Sequence, residues 1–360
     1  MPMNEHKPTL ITGGCGFVGR HLIKTLLERN YRELWIVDDL STGTHPRTWL
    51  NDSWKETKTD TATVFESARG TLYFVQADAQ SFLYAETLKS SPTKLPNSFG
   101  DVFHLASIVG GRALIDGDPI MVSKDLGIDA AFFYWLTRKS STVGRVMYAS
   151  SSAAYPISLQ GDNGAIALTE TDIDFSKGLG VPDMTYGWSK LTGEYLSTLA
   201  HKHYGIHIAC VRPFSGFGED QDLTYPTPSI ALRVARGDNP IEVWGTGEQG
   251  RDFIHIDDCT DAFFAILEKV QDGSGVNIGT GIPTSFNTLI KHLLEIEDRT
   301  ATIKPLTDKP IGVTSRYANP TYLNKTIGWY PKMTLTEGLQ KVLEGAKQRL
   351  AGTALPFIIE

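Results

Sequence analysis

Short apolar runs alternate with helical periodicities through the first half of the chain. Thr9–Thr12 (TLIT) predicts a strand, and Leu22, Ile23, Leu26 and Leu27 recur at the spacing of one helix face. Leu34–Val37, Leu72–Val75, Val102–Leu105, Arg145–Ala149 and Ile206–Val211 predict five more strands, with helices near 120–140 and 186–204 between them. Strand and helix in alternation predict an α/β fold of the Rossmann type, a doubly wound parallel sheet. Residues 44–70 are polar and predict an excursion between the second and third strands. The second half is less regular: 213–228 is rich in Gly, Pro and acid, 229–236 predicts a helix, and Glu242–Trp244 a short strand. A smaller C-terminal substrate-binding lobe is expected to close over the carboxyl ends of the strands, where ligands bind in such sheets. The expected division assigns 1–211 plus about 251–281 to a cofactor-binding domain, and about 212–250 plus 282–360 to the lobe.

Composition narrows the class. The 360 residues are 41% hydrophobic and 21% charged, as in ordinary soluble domains, and the net charge of −7 speaks against a nucleic-acid partner. No apolar run reaches the length of a membrane span, and the polar start at residues 1–8 carries no signal-peptide pattern. Three scattered cysteines, Cys15, Cys210 and Cys259, predict reduced thiols and a cytoplasmic location. His201, His203 and His207 are expected to be surface histidines, with a metal site as the alternative, and no metal is expected elsewhere.

The chemistry is carried by two motifs. Residues 13–19 read GGCGFVG between a strand and a helix. In that place Gly13 permits the turn, Gly16 lets backbone approach a pyrophosphate, and Gly19 lets the helix pack on the sheet. Asp38 follows 19 residues after Gly19, at the end of the second strand. A carboxylate there accepts ribose hydroxyls and repels a 2′-phosphate, so NAD is expected rather than NADP, unless Asp38 only caps a turn. Tyr186 and Lys190 stand four apart on a predicted helix, so phenol and ammonium share a face. The lysine charge is expected to lower the phenol pKa and make Tyr186 a general base. Ser150, Ser151 and Ser152 at the end of the fifth strand offer a hydroxyl to the same ligand.

TGGCGFVG, VDDLSTG (37–43), HLA (104–106), YASSSAAYP (148–156), YGWSK (186–190), VRPFSGFG (211–218), GRDFIHIDDC (250–259) and VNIGTG (276–281) stand in one order. In this the chain resembles the NAD-dependent epimerase/dehydratase family of extended short-chain dehydrogenases over nearly its whole length. The resemblance implies that Gly13, Gly16, Phe17, Val18 and Gly19 hold the pyrophosphate. It places Asp38, Asp39, Ser41, Thr42 and Gly43 at the ribose, and Asp78 and Ala79 at the adenine. Leu105, Ala106, Ser107, Tyr186, Lys190 and Pro213 fall on the nicotinamide side. Ser151 becomes the catalytic hydroxyl beside Tyr186 and Lys190, with Ser152 as its near competitor. Arg251 and Arg316 match arginines on a substrate diphosphate, Val243 and Trp244 lie by the nucleoside, and Ser215 stands where the family often has Asn. A second such departure is Asp125. Helices near 120–140 and 186–204 imply a homodimer.

The family's 4,6-dehydratases carry an Asp-Glu pair after the catalytic hydroxyl; this chain has Ser152-Ala153. The stretch is also similar to that of GDP-mannose 3,5-epimerases, which tilts the nucleotide towards GDP, but their cysteine is replaced by Ala153. What the resemblance leaves is chemistry at C4 of a nucleoside-diphosphate sugar, as a 4-epimerase or, alternatively, a 4-dehydrogenase releasing a 4-keto sugar. A non-catalytic NAD-binding sensor would lose Tyr or Lys from the pair, and both are here. Arg112, in the Gly-rich stretch 107–119, is expected either to meet a sugar group or to be an ordinary surface arginine.

Overall fold

The computed structural model describes residues 7–139, 141–161, 166–353 and 357–360, and of 113 and 114 the backbone alone. The polar start read above thus lies mostly outside the described residues. Four segments open the fold: β1 (Thr9–Thr12), α1 (Phe17–Glu28), β2 (Glu33–Asp38) and, within the polar stretch, a hairpin of β3 (Lys55–Lys58) and β4 (Thr63–Ser67). Next come β5 (Gly70–Gln76), α2 (Ala79–Thr87), β6 (Phe99–His104), α3 (Arg112–Gly117), α4 (Pro119–Val122), α5 (Lys124–Arg138), β7 (Val143–Ala149), α6 (Met184–Tyr204) and β8 (His207–Pro213). The remainder is β9 (Ser215–Phe217), α7 (Pro226–Arg236), β10 (Ile241–Trp244), β11 (Gly250–His255), α8 (Ile256–Lys269), β12 (Asp272–Ile278), β13 (Pro283–Ser285), α9 (Phe286–Ile296), β14 (Ile303–Leu306), β15 (Ser315–Arg316) and α10 (Leu335–Leu350).

Nine strands form one sheet in the order β12-β8-β7-β6-β1-β2-β5-β4-β3. From β12 to β5 every pairing is parallel, with the strand order reversing beside β1, which is the doubly wound arrangement. The 44–70 stretch is not an excursion away from the sheet. Its hairpin pairs antiparallel with β5, Thr63 opposite Phe74 and Phe65 opposite Leu72, and extends the sheet edge. The reason is local: Val64 and Phe65 are buried, and one strand with two apolar side chains is enough to hold a hairpin on an existing edge.

One face of the sheet buries α1 and α8 through Leu22, Ile23, Leu26, Phe263 and Leu267; the other buries α2 and α5 through Leu83, Phe132, Trp135 and Leu136. A separate core of Ile230, Val234, Leu289, Leu293, Leu339 and Val342 joins α7, α9 and α10. Those helices lie beside two small sheets, β10 with β14, and β11 with β9, β13 and β15. Between the lobe and the sheet runs a buried charge cluster. His21 of α1 meets Asp220 at 2.8 Å, and Arg20 meets it at 2.6 Å. The two carboxylates beside it, Asp220 and Asp257, outweigh the burial that disfavours the imidazolium and hold the His21 pKa above its ordinary value.

Helix α6 approaches the sheet more closely than side chains normally allow. A Cβ on Gly193 would overlap the Tyr148 hydroxyl, and one on Gly187 would overlap the Ala153 carbonyl. Tyr148 is fully buried and its hydroxyl donates to Asp129 at 2.6 Å, so it has nowhere to move. Gly193→Ala is therefore expected to destabilise the protein by about 2–3 kcal/mol, the usual scale of overpacking. A denaturant titration checks this, and an unchanged midpoint would refute the close approach.

Candidate active site

At the carboxyl ends of the parallel strands opens one cavity of about 680 Å³. The turn from β1 to α1 forms one end. Gly13 has a φ of +72°, and a Cβ there would stand 2.6 Å from the Ala106 nitrogen. A Cβ on Gly19 would stand 2.5 Å from the Gly13 carbonyl oxygen. Both glycines are thus required by the protein itself. Gly16 is different: its φ is −69°, and a Cβ would find only the Gly13 oxygen at 3.4 Å, an ordinary contact. Its bare Cα faces the cavity. Among the described residues no side chain caps α1, whereas Asp78 caps α2 and Thr334 caps α10. The first-turn amides of α1 are left for an anion.

Asp38 closes the same end. Its oxygens accept from the Cys15 and Leu40 amides at 2.9 and 2.8 Å, and burial pushes its carboxyl above the ordinary value. It does cap a turn, and each oxygen keeps a lone pair for a ligand on the cavity wall. Cys15 is fully buried beneath the loop, and burial pushes its thiol far up, so it is packing and not a nucleophile.

In the middle of the cavity α6 presents Tyr186 and Lys190. The ammonium lies 5.6 Å from the Tyr186 ring centre and 5.5 Å from that of Tyr148. Burial would lower the Lys190 pKa, but Tyr186, Asp125 and Asp129 raise it above its usual value. Ser151 Oγ faces the phenol and favours its ionised form. Ser150 turns away and donates to Glu194. The phenol pKa differs from the sequence expectation. In the ligand-free site burial raises it above its ordinary value, Lys190 works against this, and Asp125 adds to it. Asp125 is 1% exposed and accepts from Ser107 Oγ at 2.7 Å and the Ile108 amide at 2.5 Å, tying the cavity wall to α5.

The far end is basic. Among the described residues Arg251 donates only to carbonyl oxygens, of Gly250 at 2.7 Å and Ile311 at 3.0 Å. Burial, then the charge of Arg316 nearby, pushes its pKa down to about 9. Arg316 donates to Gln160 Oε1 and to Asp183 at 2.7 Å. Arg112 donates to the same Asp183 at 2.9 Å and to Asp116 through two nitrogens. It is neither a free cation nor an ordinary surface arginine. Arg233 lines the cavity too, and its Nε is buried with no hydrogen-bond partner among the described residues. Such an end has an unmet demand for an anion.

The model of the NAD dependent epimerase/dehydratase family matches residues 9–279. The chain belongs to this family. A GDP-mannose 3,5-epimerase of Oryza sativa subsp. indica is 30% identical over 251 residues, which are 69% of this chain and 64% of that one. A UDP-glucuronate 4-epimerase of Thermodesulfobacterium geofontis is 25% identical over 95% of this chain and 96% of its own length. Among solved structures, the UDP-glucose 4-epimerase of Thermotoga maritima with UDP-glucose superposes with a TM-score of 0.76 at 26% identity, covering 95% of this chain and 99% of that one.

As a member of the epimerase/dehydratase family the chain is an NAD-dependent enzyme. The bare Gly16, the uncapped α1 and the Asp38 carboxylate fit a dinucleotide. The structure brings the sequence-predicted residues to one cavity with a single exception. Gly43 is off the wall; it packs against Cys15 and Asp38, where a Cβ would stand 2.9 Å from the Cys15 carbonyl carbon. Ser41 and Thr42 lie on the wall, so Gly43 shapes the 38–43 loop from behind. Sequence reasoning missed Asp183, Arg233, Gln249 and the 310–313 loop as cavity walls. Asp183 reads in sequence as a plain N-cap, and Arg233 as a last-turn arginine; neither carries a signal of its own. Gly16→Ala is expected to leave the melting temperature nearly unchanged while weakening NAD at least tenfold, and Gly19→Ala to lower the melting temperature. Thermal melts beside calorimetric NAD titrations check the contrast.

Proposed function

We propose that this enzyme is a nucleoside-diphosphate-sugar 4-epimerase working through a 4-keto sugar. The observation that carries this is the meeting of Tyr186, Ser151 and Lys190 in the same cavity as the glycine turn and the arginines, with no acid after Ser151. In this reading the glycine turn takes the pyrophosphate, Asp38, Asp39, Ser41 and Thr42 the ribose, and Asp78 and Ala79 the adenine. Leu105, Ala106, Ser107 and Pro213 wall the nicotinamide. Arg251 and Arg316 take the sugar's diphosphate, and Val243 and Trp244 its nucleoside, with Ser152 and Ser215 beside the sugar.

When bound, NAD would supply the hydride acceptor for C4 and, after the sugar has turned, the hydride donor to its other face. Ser151 hydrogen-bonds the C4 oxygen and Tyr186 takes its proton. Lys190 holds the phenolate by its charge. The ring then turns over, and Tyr186 gives the proton back. Gly110 and Gly111, which carry no side chains, line the wall where the ring would turn. Among the described residues the cavity wall lacks the groups that other chemistries need. The cavity carboxylates are Asp38, Asp39 and Asp78 at the dinucleotide end and Asp183, held by two arginines. The cysteine on the wall, Cys259, is buried and its thiol is pushed far up, so it offers no thiolate to C3 or C5. Exposed Tyr134 on α5 and exposed Trp188 and Tyr195 on α6 favour a second copy docked there, as in a homodimer. Three buried free thiols fit the reducing cytoplasm.

Incubated with UDP- and GDP-hexoses, the enzyme is expected to yield C4 epimers without net NADH, and Tyr186→Phe to cut the rate by at least a thousandfold with NAD affinity kept. Accumulation of a 4-keto product would assign a 4-dehydrogenase instead, and undiminished turnover in the variant would remove Tyr186 from the chemistry. Asp125→Asn removes a charge that raises the phenol pKa. The alkaline rise of kcat/KM is therefore expected to move to lower pH in that variant; a pH–rate profile measures it.

A further inference from the structure

The arginines of the basic end differ in whether their charge is already spent. Arg112 and Arg316 face Asp116 and Asp183, two cations against two carboxylates. Among the described residues, Arg251 donates only to carbonyl oxygens and the Arg233 Nε has no hydrogen-bond partner. Arg251 therefore keeps a guanidinium that no carboxylate binds directly, the kind of group a substrate diphosphate takes. Arg112, by contrast, already has carboxylate partners on both sides of its guanidinium.

The place of Arg112 makes this a statement about the sugar. Asp183 lies three residues before Tyr186 and binds Arg112 and Arg316 together. Arg112 thus stands on the wall between the reacting end and the diphosphate end, where the rest of a sugar ring must lie. A uronate carboxylate would be recognised by the side-on fork of a guanidinium, its Nε and one terminal nitrogen. In Arg112 that fork is taken: Nε donates to Asp116 Oδ2 at 3.0 Å and Nη2 to Asp116 Oδ1 at 2.5 Å. Asp116 sits four residues on, one helical turn along α3, and is not itself part of the cavity wall. The internal carboxylate stands in for the one a substrate would bring.

We infer that the sugar subsite takes an uncharged hexose rather than a uronate, and that Asp116 sets this preference by occupying Arg112. This rests on the reading that the cavity takes a nucleoside-diphosphate sugar. Asp116 is a specificity-determining residue acting through Arg112, not a catalytic one.

The test is calorimetric binding to the NAD-loaded enzyme of matched hexose and uronate pairs, UDP-glucose with UDP-glucuronate and GDP-mannose with GDP-mannuronate. Wild type is expected to bind the hexose of a pair at least tenfold more tightly. Asp116→Asn leaves a single acceptor against the fork and no charge, and is expected to shrink that ratio at least tenfold, and adding Arg112→Gln to it to restore the ratio. NAD titration and a thermal melt report whether each variant is folded, and Asp116→Ser serves if Asp116→Asn is not. A uronate bound by wild type as tightly as its hexose overturns the inference, and so does a ratio that Asp116 variants leave unmoved. Failure of every nucleotide sugar to bind would instead undo the nucleotide-sugar reading itself.

Discussion

Glu194 lies one helical turn after Lys190 and two after Tyr186, and two nitrogens of Arg212 hold its carboxylate at 2.8 and 2.7 Å. Both side chains are buried. Ser150 adds a third donor to Glu194, and Arg212 reaches on to the Tyr155 hydroxyl at 2.7 Å, which donates to Asn277 at 2.8 Å. A buried pair of this kind adds little net stability, but losing one partner costs about 3–5 kcal/mol because a charge is stranded. Its effect is on register. It ties the helix that carries Tyr186 and Lys190 to the strand end that carries Ser151 and to β8 and β12. The glycines at 187 and 193 permit the approach, and the ion pair fixes where along the helix it happens.

The charge pattern of the site follows from that placement. Lys190 is held under the phenol with acids behind it, so the lysine stays protonated while the phenol stays neutral in the ligand-free site. Asp125 is the departure that matters here. An amide at its position could make the same hydrogen bond to Ile108 without adding a negative charge. With a carboxylate, part of the lysine's field is already answered from below, and the proton on Tyr186 is held more firmly.

The fold and the dinucleotide end were legible because their signals are local. A glycine triplet, an acid ending a strand and a Tyr-Lys pair one turn apart each compress a three-dimensional demand into a few residues. Gly43 shows the limit of this: it lies in the right motif yet serves the loop from behind. The arginine end was only partly legible. Arg251 and Arg316 were picked out by resemblance, but whether a guanidinium is free depends on carboxylates 4 and 71 residues away for Arg112, and 133 away for Arg316. The direction of the Tyr186 shift was missed for the same reason, since burial and Asp125 act across the fold. The hairpin in 44–70 was illegible because Lys55–Lys58 carries no apolar alternation and pairs only because β4 is already in place.

That outermost strand has a consequence of its own. A parallel sheet ending at β5 would present to solvent a row of unpaired amides flanked by Leu72, Phe74 and Val75, a template on which another chain's strand could assemble. The hairpin moves the open edge outward to a strand reading KETK, short and largely exposed. A foreign strand arriving there would gain few hydrogen bonds and would have to desolvate lysines. The polar stretch that first looked like a detour thus leaves this side of the sheet a poor template for a foreign strand.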